Sequence, residues 1–177
     1  MYIRYIVFTL IQFFVVINVL SAQKAVEIMQ PKIEFDIKLA TEMLNSGNAE
    51  ISGTAYYDGK SPVGLKIGNK WFAKPGTIIY LYPLTPYLKE YLSLKSKNKE
   101  GKRLATISSL ANSYRIEAKV FNNQGAFIFP DLSAGSYYLE TEIKEDLLIF
   151  EASGIVDIKS NNEKISYSLK HTYRKKM

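Results

Sequence analysis

The chain has 177 residues, a net charge of +6, one histidine and no cysteine. The missing cysteines exclude disulfide bonds, thiol catalysis and a lipid anchor on an N-terminal cysteine. The single histidine, His171, excludes multi-histidine zinc sites, and we predict that it is a solvated tail residue outside any Ser-His-Asp triad.

Residues 1–22 have the pattern of a secretory signal peptide. Arg4 precedes an apolar run of about 16 residues, shorter than the roughly 20 needed to span a bilayer. Ser21 and Ala22 then offer a small-residue cleavage site. We therefore predict an exported protein of the periplasm, cell envelope or extracellular space, with no transmembrane segment after cleavage. An uncleaved N-terminal anchor is the alternative. The absence of disulfides favours a bacterial envelope.

Residues 23–48 form a predicted N-terminal leader, poorly ordered as far as Pro31. Four apolar residues recur at helical spacing, namely Ile33, Ile37, Ala40 and Leu44. They predict a short helix over 33–44 that ends near Gly47. A strand over 33–39 stays open as the alternative, because apolar and polar residues also alternate there.

From residue 49 the pattern changes to β-strands separated by turns. Small and apolar residues alternate over 49–57, and this strand is predicted to end at the turn dipeptide Asp58-Gly59. Gly68-Asn69 is a second turn pair between two short apolar runs. We therefore predict a hairpin around Gly68-Asn69.

The next segment combines a buried strand with a helix. Residues 77–82 are apolar on both faces, which is typical of a strand in the centre of a sheet. Thr85 is a good N-cap, and Pro86 suits the first helical position. We therefore predict a short helix over 86–95, followed by a basic loop.

The second half of the chain returns to β pattern. Five further strands are predicted, at 114–121, 126–129, 136–143, 147–158 and 164–169. Turn residues separate the strands about every eight to twelve residues, the spacing of antiparallel sandwiches. The sequence thus predicts an all-β fold, an antiparallel Greek-key β-sandwich of about seven strands over residues 49–170. The helix at 86–95 is inserted in it, and a basic tail follows at 171–177.

One stretch of this half carries a more specific pattern. A polar turn ends in Gly125 and is followed by Phe127, Phe129, Leu132, Gly135, Tyr137 and Leu139. This pattern resembles the carboxypeptidase regulatory-like family of β-sandwich domains, also called transthyretin-like or prealbumin-type. The resemblance covers about residues 49–170. It agrees with a left-handed turn at Gly125 and with aromatic side chains two residues apart that face one core.

The resemblance does not extend to the known enzyme of this fold. One transthyretin-like branch hydrolyses 5-hydroxyisourate with several histidines and a C-terminal Tyr-Arg-Gly-Ser. Here Tyr173-Arg174 is followed by two lysines, and the other histidines are missing. The segment over 82–87 is similar to one in exported Bacteroidetes proteins, and it implies no activity.

Carboxylates are the residues that could still support hydrolysis. A glycosidase needs two of them flanking the scissile bond. The candidates are Glu140, Glu142, Glu145, Asp146 and Glu151, which lie on a predicted strand pair and its turn. Because Glu140 and Glu142 share one strand face, we favour a solvated polar face over a catalytic pair.

Two further residue sets could bind a ligand. The aromatic residues that could form a platform for sugars are Trp71, Phe72, Tyr80, Tyr82, Tyr87 and Tyr91. Core packing is the favoured use of such rings, and Trp71, Tyr87 and Tyr91 are the first candidates for a ligand patch. The basic loop could contact an anionic partner, although a solvated loop is favoured. Its members are Lys95, Lys97, Lys99, Lys102 and Arg103.

Together these features predict a non-catalytic exported envelope module that binds, or structurally supports, a protein or glycan partner. The alternative is a hydrolytic enzyme of the envelope with a carboxylate-based site. We expect no cofactor and no metal, because no phosphate-binding loop and no ligand cluster occurs in the sequence. We also expect no nucleic-acid partner, because no aromatic residue is interleaved with the basic loop.

Overall fold

The computed structural model describes residues 25–60, 66–145 and 148–171. The predicted signal peptide and most of the basic tail lie outside these ranges. Ten strands are described, β1 Glu27–Met29, β2 Ala49–Lys60, β3 Lys66–Phe72, β4 Ile78–Pro83, β5 Arg103–Ala105, β6 Ile116–Lys119, β7 Ala126–Leu132, β8 Gly135–Glu145, β9 Leu148–Ile158 and β10 Lys164–Lys170. Three helices accompany them, α1 Ile37–Leu44, α2 Pro86–Lys95 and α3 Ser109–Ser113.

Eight of the described strands form two four-stranded sheets that pack face to face. In the first sheet β2 pairs with β10 on one side and with β7 and β3 on the other. The second sheet has the order β6-β4-β8-β9. The predicted all-β sandwich is therefore confirmed, with β4 in the interior of its sheet as expected.

One strand pair of the sandwich departs from the antiparallel prediction. β10 runs parallel to β2, with Ile165 opposite Ile51 and Leu169 opposite Ala55. Residues 159–163 carry the chain from one sheet to the other and do not form a hairpin. The sequence spacing therefore could not fix the direction of β10.

The core lies between the two sheets and contains the residues that were predicted to face inward. Phe127 and Phe129 are almost completely buried, and their rings meet edge to face with centroids 6.0 Å apart. Tyr137 and Leu139 face the same core and are fully buried. Gly125 has a φ of +72°, so the left-handed turn before β7 is confirmed.

The predicted turns at Asp58-Gly59 and Gly68-Asn69 are wrong, because each dipeptide lies within a strand. β2 continues through Asp58-Gly59 with a change of register between Asp58 and Lys60. β3 runs without interruption through Gly68-Asn69. The connection between the two strands falls in residues 61–65, outside the described ranges. A bulge at a glycine and a glycine within a strand account for the misplaced turns.

The N-terminal leader is held against the domain, contrary to the prediction of poor order. β1 pairs in parallel with β5, with Ile28 opposite Leu104. The backbone N–H groups of Lys32 and Ile33 both donate to the Glu90 carboxylate on α2, at 3.0 and 2.9 Å. These contacts join segments at least 57 residues apart, which local sequence patterns do not reveal.

The leader ends in the predicted helix, which begins four residues later than expected. Asp36 is the N-cap, and its carboxylate accepts from the N–H of Leu39 at 2.9 Å. The buried Tyr137 hydroxyl donates to the carbonyl oxygens of Met43 and Ser133, at 2.7 and 2.9 Å. Burial raises the pKa of Tyr137 to about 12. This phenol therefore anchors α1 to the sandwich as a neutral hydrogen-bond donor.

Helix α2 has the predicted bounds and lies on the outer face of the second sheet. The Thr85 hydroxyl accepts from the N–H of Leu88 at 3.3 Å, and Pro86 occupies the first turn. Leu88 packs against Tyr82 and Tyr138 of the sheet in a small second core. Among the described residues, none of the helices is both long and apolar enough to cross a membrane.

Candidate functional site

A groove of about 570 Å³ opens on the outer face of the second sheet. The C-terminal end of α2 and the connection from β3 to β4 form two of its walls. Its polar and aromatic lining includes Lys74, Tyr80, Lys95, Glu140, Glu142, Lys144 and Glu151. This volume is within the range of small-molecule binding sites.

Strand pairing brings these side chains to one face. Tyr80 of β4 is directly opposite Glu140 of β8, and Glu142 of β8 is opposite Glu151 of β9. Successive residues of a strand point to opposite faces, so Glu140, Glu142 and Lys144 point outward while Leu139, Thr141 and Ile143 point to the core. The lining of the groove thus follows from the alternation in β8.

Lys95 is the central cation of the groove. It is the last residue of α2, and its Nζ donates to Glu140 Oε2 at 2.8 Å. The same ammonium group contacts the Glu151 carboxylate. The Lys95 and Glu140 side chains are only 22% and 19% exposed. Lys95 is therefore an ion-paired part of the groove and not a member of the basic loop, which corrects the prediction.

The charges around Lys95 stabilise its ammonium form. Partial burial is the largest single effect and opposes the charge, but Glu140, Tyr138 and Glu151 together outweigh it, so the pKa of Lys95 lies above its usual value. Tyr138 donates to Glu140 at 3.1 Å. Burial, aided by the charge of Glu140, raises the pKa of Tyr138 well above that of a free phenol. Lys95 and Tyr138 thus both remain hydrogen-bond donors at neutral pH.

The Tyr80 ring is fixed by a second cation. The Arg115 guanidinium lies over the ring, 4.3 Å from its centroid, in cation–π contact. Arg115 is itself held by Asn112 at 2.7 Å and by Glu117 at 3.3 Å. Tyr80 is half-buried and forms part of the groove floor. The groove therefore has an oriented aromatic ring beside its charged groups.

The comparisons with known proteins found a similar fold and no match by sequence. No protein-family model matches the chain, and no curated protein matches it. The structure is similar to that of a proposed carbohydrate-binding protein from Pseudomonas aeruginosa. The TM-score is 0.56 and the identity 18%, over 78% of this chain and 99% of that one. A major pilin from Corynebacterium diphtheriae matches with a TM-score of 0.37 and 16% identity, over 77% of this chain and 33% of the pilin. The first similarity shows the fold alone.

Three of the five candidate carboxylates meet in the groove. They are Glu140, Glu142 and Glu151, whereas the side chains of Glu145 and Asp146 lie outside the described part of the chain. Glu142 fits the predicted solvated face, with 63% of its side chain exposed. Glu140 does not, because Lys95 and Tyr138 cover it. The sequence could not reveal this burial, since Lys95 lies 45 residues before Glu140.

The predicted aromatic residues are placed apart. Tyr87 is 6% exposed, and its hydroxyl accepts from the N–H of Ser108 at 2.9 Å. Its ring meets Phe35 edge to face, so it is an internal contact between the leader and α2. Tyr91 is half-buried against the small second core. Trp71 alone of the three is exposed, with 40% of its surface accessible.

The rest of the basic loop is exposed and well formed. Lys99 and Arg103 bridge across a tight turn, with an N–H···O bond of 3.0 Å from Lys99 to Arg103. Lys97 and Lys102 are exposed on this turn. In the described ranges, no group of three or more histidine, aspartate or glutamate side chains is arranged to hold a metal ion.

His171 is packed against the domain, contrary to the prediction of a solvated residue. The centroid of its ring lies 5.3 Å from that of the Tyr57 ring and 5.8 Å from that of the Phe150 ring. Its Nδ1 contacts the backbone carbonyl oxygen of Glu151. The bridge between His171 and Ala152 extends β10 toward β9 and brings the ring into this position.

Proposed function

We propose that this chain is an exported, non-catalytic module that binds a carbohydrate in the groove between α2 and β8. The observation that supports this best is the joint placement of Tyr80, Lys95 and Glu142 in one open groove. Sugar hydroxyl groups donate to carboxylates and accept from ammonium groups, and the C–H face of a sugar packs on an aromatic ring. Glu142, Lys95 and Tyr80 line the groove and supply one group for each of these contacts.

The groove is built to bind with little rearrangement. Lys95 is held by two carboxylates, and Tyr80 is held by Arg115. Rigid binding groups lose less conformational entropy when a ligand is bound. Exposed Glu142 and Lys144 add polar contacts at the rim, since their side chains are 63% and 70% accessible. This combination suits a neutral or zwitterionic polyhydroxylated ligand.

The hydrolytic alternative is less well supported by the same residues. A glycosidase of the two-carboxylate type needs one carboxyl group to be protonated as the general acid. Here the two carboxylates next to the helix, Glu140 and Glu151, both contact the Lys95 ammonium. The two carboxylates are thus bound to one ammonium group and do not stand as a separate acid and base on either side of a substrate. We therefore infer binding without turnover.

The predicted export signal and the fold agree with the same proposal. The N-terminal pattern favours delivery to the bacterial envelope, where glycans are abundant. The Pseudomonas aeruginosa protein of similar fold has a proposed carbohydrate-binding role, which accords with a glycan ligand here.

Replacing Glu142 with glutamine tests the groove with the smallest structural disturbance. A glycan array identifies ligands of the purified protein, and calorimetry then measures their affinity. Glutamine replaces a charged acceptor with a neutral one at an exposed position, so the affinity of the Glu142→Gln variant is expected to fall about 3- to 5-fold. Glu42→Gln is the matched control, because Glu42 is also an exposed partner of a lysine but lies on α1. A protein that binds no glycan, or equal affinities of the wild-type and Glu142→Gln proteins, would contradict the proposal.

A further inference from the structure

Three aromatic rings form a parallel stack at one end of the sandwich. The ring centroids of Trp71 and Tyr57 are 5.2 Å apart, and the two ring planes differ by only 4°. The ring centroids of Tyr57 and Phe150 are 3.8 Å apart, with 17° between the ring planes. The Trp71 and Phe150 rings are also nearly parallel, with 15° between their planes and 6.3 Å between their centroids. The stack joins the first sheet, which carries Tyr57 and Trp71, to β9 of the second sheet.

The backing of Trp71 is rigid. Tyr57 is 5% exposed and belongs to the main core, and it is the cross-strand neighbour of Trp71. His171 packs beside Tyr57 and Phe150, which limits their movement. Trp71 itself remains 40% exposed. An indole ring is thus held in one orientation while a large part of it faces solvent.

The stack and the groove lie at the same end of the sandwich. Lys74 follows Trp71 by three residues and lines the groove. Glu151 is next to Phe150 on β9 and also lines the groove. Alternation along β9 places Phe150 on the inner side and Glu151 on the outer side. A chain-like ligand that joins the two would pass around the edge strand β9, from the outer face that carries Glu151 to the side of Phe150 and Trp71.

We propose that Trp71 is a second contact for the glycan, stacking on a sugar ring while another part of the same oligosaccharide occupies the groove. This inference rests on the proposed function for the class of ligand, a carbohydrate, and it adds that the ligand is an oligosaccharide long enough to span both contacts. A flat apolar ring face is what the C–H face of a pyranose requires. Because the stack already fixes Trp71, binding orders few additional rotamers.

The charge around this end favours a sugar over a nucleic acid. The groove lining contains three lysines and three glutamates, at Lys74, Lys95, Lys144, Glu140, Glu142 and Glu151. Single-stranded nucleic acids are bound along positively charged grooves with several stacking rings in succession. A balanced groove with one exposed stacked ring fits a glycan better.

The fluorescence of Trp71 tests this contact directly, because the chain contains a single tryptophan. Cellohexaose, chitohexaose, xylohexaose and the hexasaccharides found on the array are titrated into the wild-type protein. A hexasaccharide that stacks on Trp71 is expected to shift its emission to shorter wavelength and to protect it from acrylamide quenching. Trp71→Ala is expected to lower the calorimetric affinity about 5- to 10-fold.

Matched variants separate this contact from the groove. Phe121→Ala removes another exposed aromatic ring, 63% accessible, and is expected to leave the affinity unchanged. If calorimetry detects binding but the emission and quenching of Trp71 do not change, the stacking contact is ruled out and the proposal of binding in the groove is unaffected. An emission change that is retained with full affinity in Glu142→Gln overturns the groove and supports Trp71. If no hexasaccharide gives a heat of binding or a change in Trp71 fluorescence, both the groove and the Trp71 contact are ruled out.

Discussion

Replacing Lys95 with methionine is expected to lower the free energy of unfolding by about 2–3 kcal/mol. Removing one partner of a buried ion pair costs about 3–5 kcal/mol, because the other charge is left uncompensated. Lys95 and Glu140 are about one-fifth exposed, so solvent screening brings the expected cost slightly below that range. Without the ammonium group that both contact, the Glu140 and Glu151 carboxylates would also repel each other. Urea denaturation at pH 7 measures the effect.

Two variants control for other causes of this loss. Lys38→Met removes an exposed ion pair with Glu42 on α1 and is expected to change the stability by less than about 0.5 kcal/mol. Lys95→Met combined with Glu140→Gln should recover part of the loss, since the uncompensated carboxylate is removed as well. Equal destabilisation by Lys38→Met and Lys95→Met would contradict the central role of Lys95.

The contribution of Lys95 depends on pH in a definite direction. Its pKa in the folded protein is raised above the unfolded value of 10.5, so the folded state holds the proton more tightly. The stabilisation is therefore complete below about pH 10 and is lost as the pH rises through the folded pKa. The stability difference between wild-type and Lys95→Met should thus be constant from pH 6 to 9 and shrink in stronger alkali.

Replacing Phe127 with alanine is expected to have the largest effect of any substitution discussed, about 3–5 kcal/mol of lost stability. Phe127 is 1% exposed and meets Phe129 at 6.0 Å in the centre of the core. The Phe127 ring also lies against Gly53, where an added Cβ would approach it to 2.8 Å, so the surrounding strands are closely packed. The cavity left by the missing ring could not collapse readily.

Thermal and urea unfolding of Phe127→Ala check this expectation. A loss of this size should lower the melting temperature by roughly 6–20 °C in a chain of this length. Phe121→Ala is the matched control, since the same ring is removed from a site that is 63% exposed. Equal stabilities of the two variants would show that Phe127 is not in the core.

Local sequence patterns predicted the parts of the fold that local forces decide. Period-two alternation placed Phe127, Phe129, Tyr137 and Leu139 in the core, and an N-cap followed by proline placed the start of α2. The turn around Gly68-Asn69 was misplaced because glycine is permitted in strands as well as in turns. The parallel direction of β10 was missed because a crossing between sheets leaves no local pattern.

The site depended on contacts that the sequence does not display. Lys95 was predicted as part of a basic loop because four other basic residues follow it, whereas its partners lie 45 and 56 residues later. Tyr87 and Tyr91 share a helix face, but that face is covered by the sheet and the leader. Trp71 remained exposed, and the two rings beneath it come from different sheets.

The most direct test of the carbohydrate groove is to map ligand binding onto the backbone. A hexasaccharide identified on the array is titrated into the 15N-labelled protein, and the amide chemical shifts are recorded residue by residue. We predict that the largest changes fall at residues 74–80, 140–144 and 151, together with the Trp71 indole N–H. Changes concentrated instead in α1 or in the basic turn at 97–103, with the groove unaffected, would contradict binding in the groove.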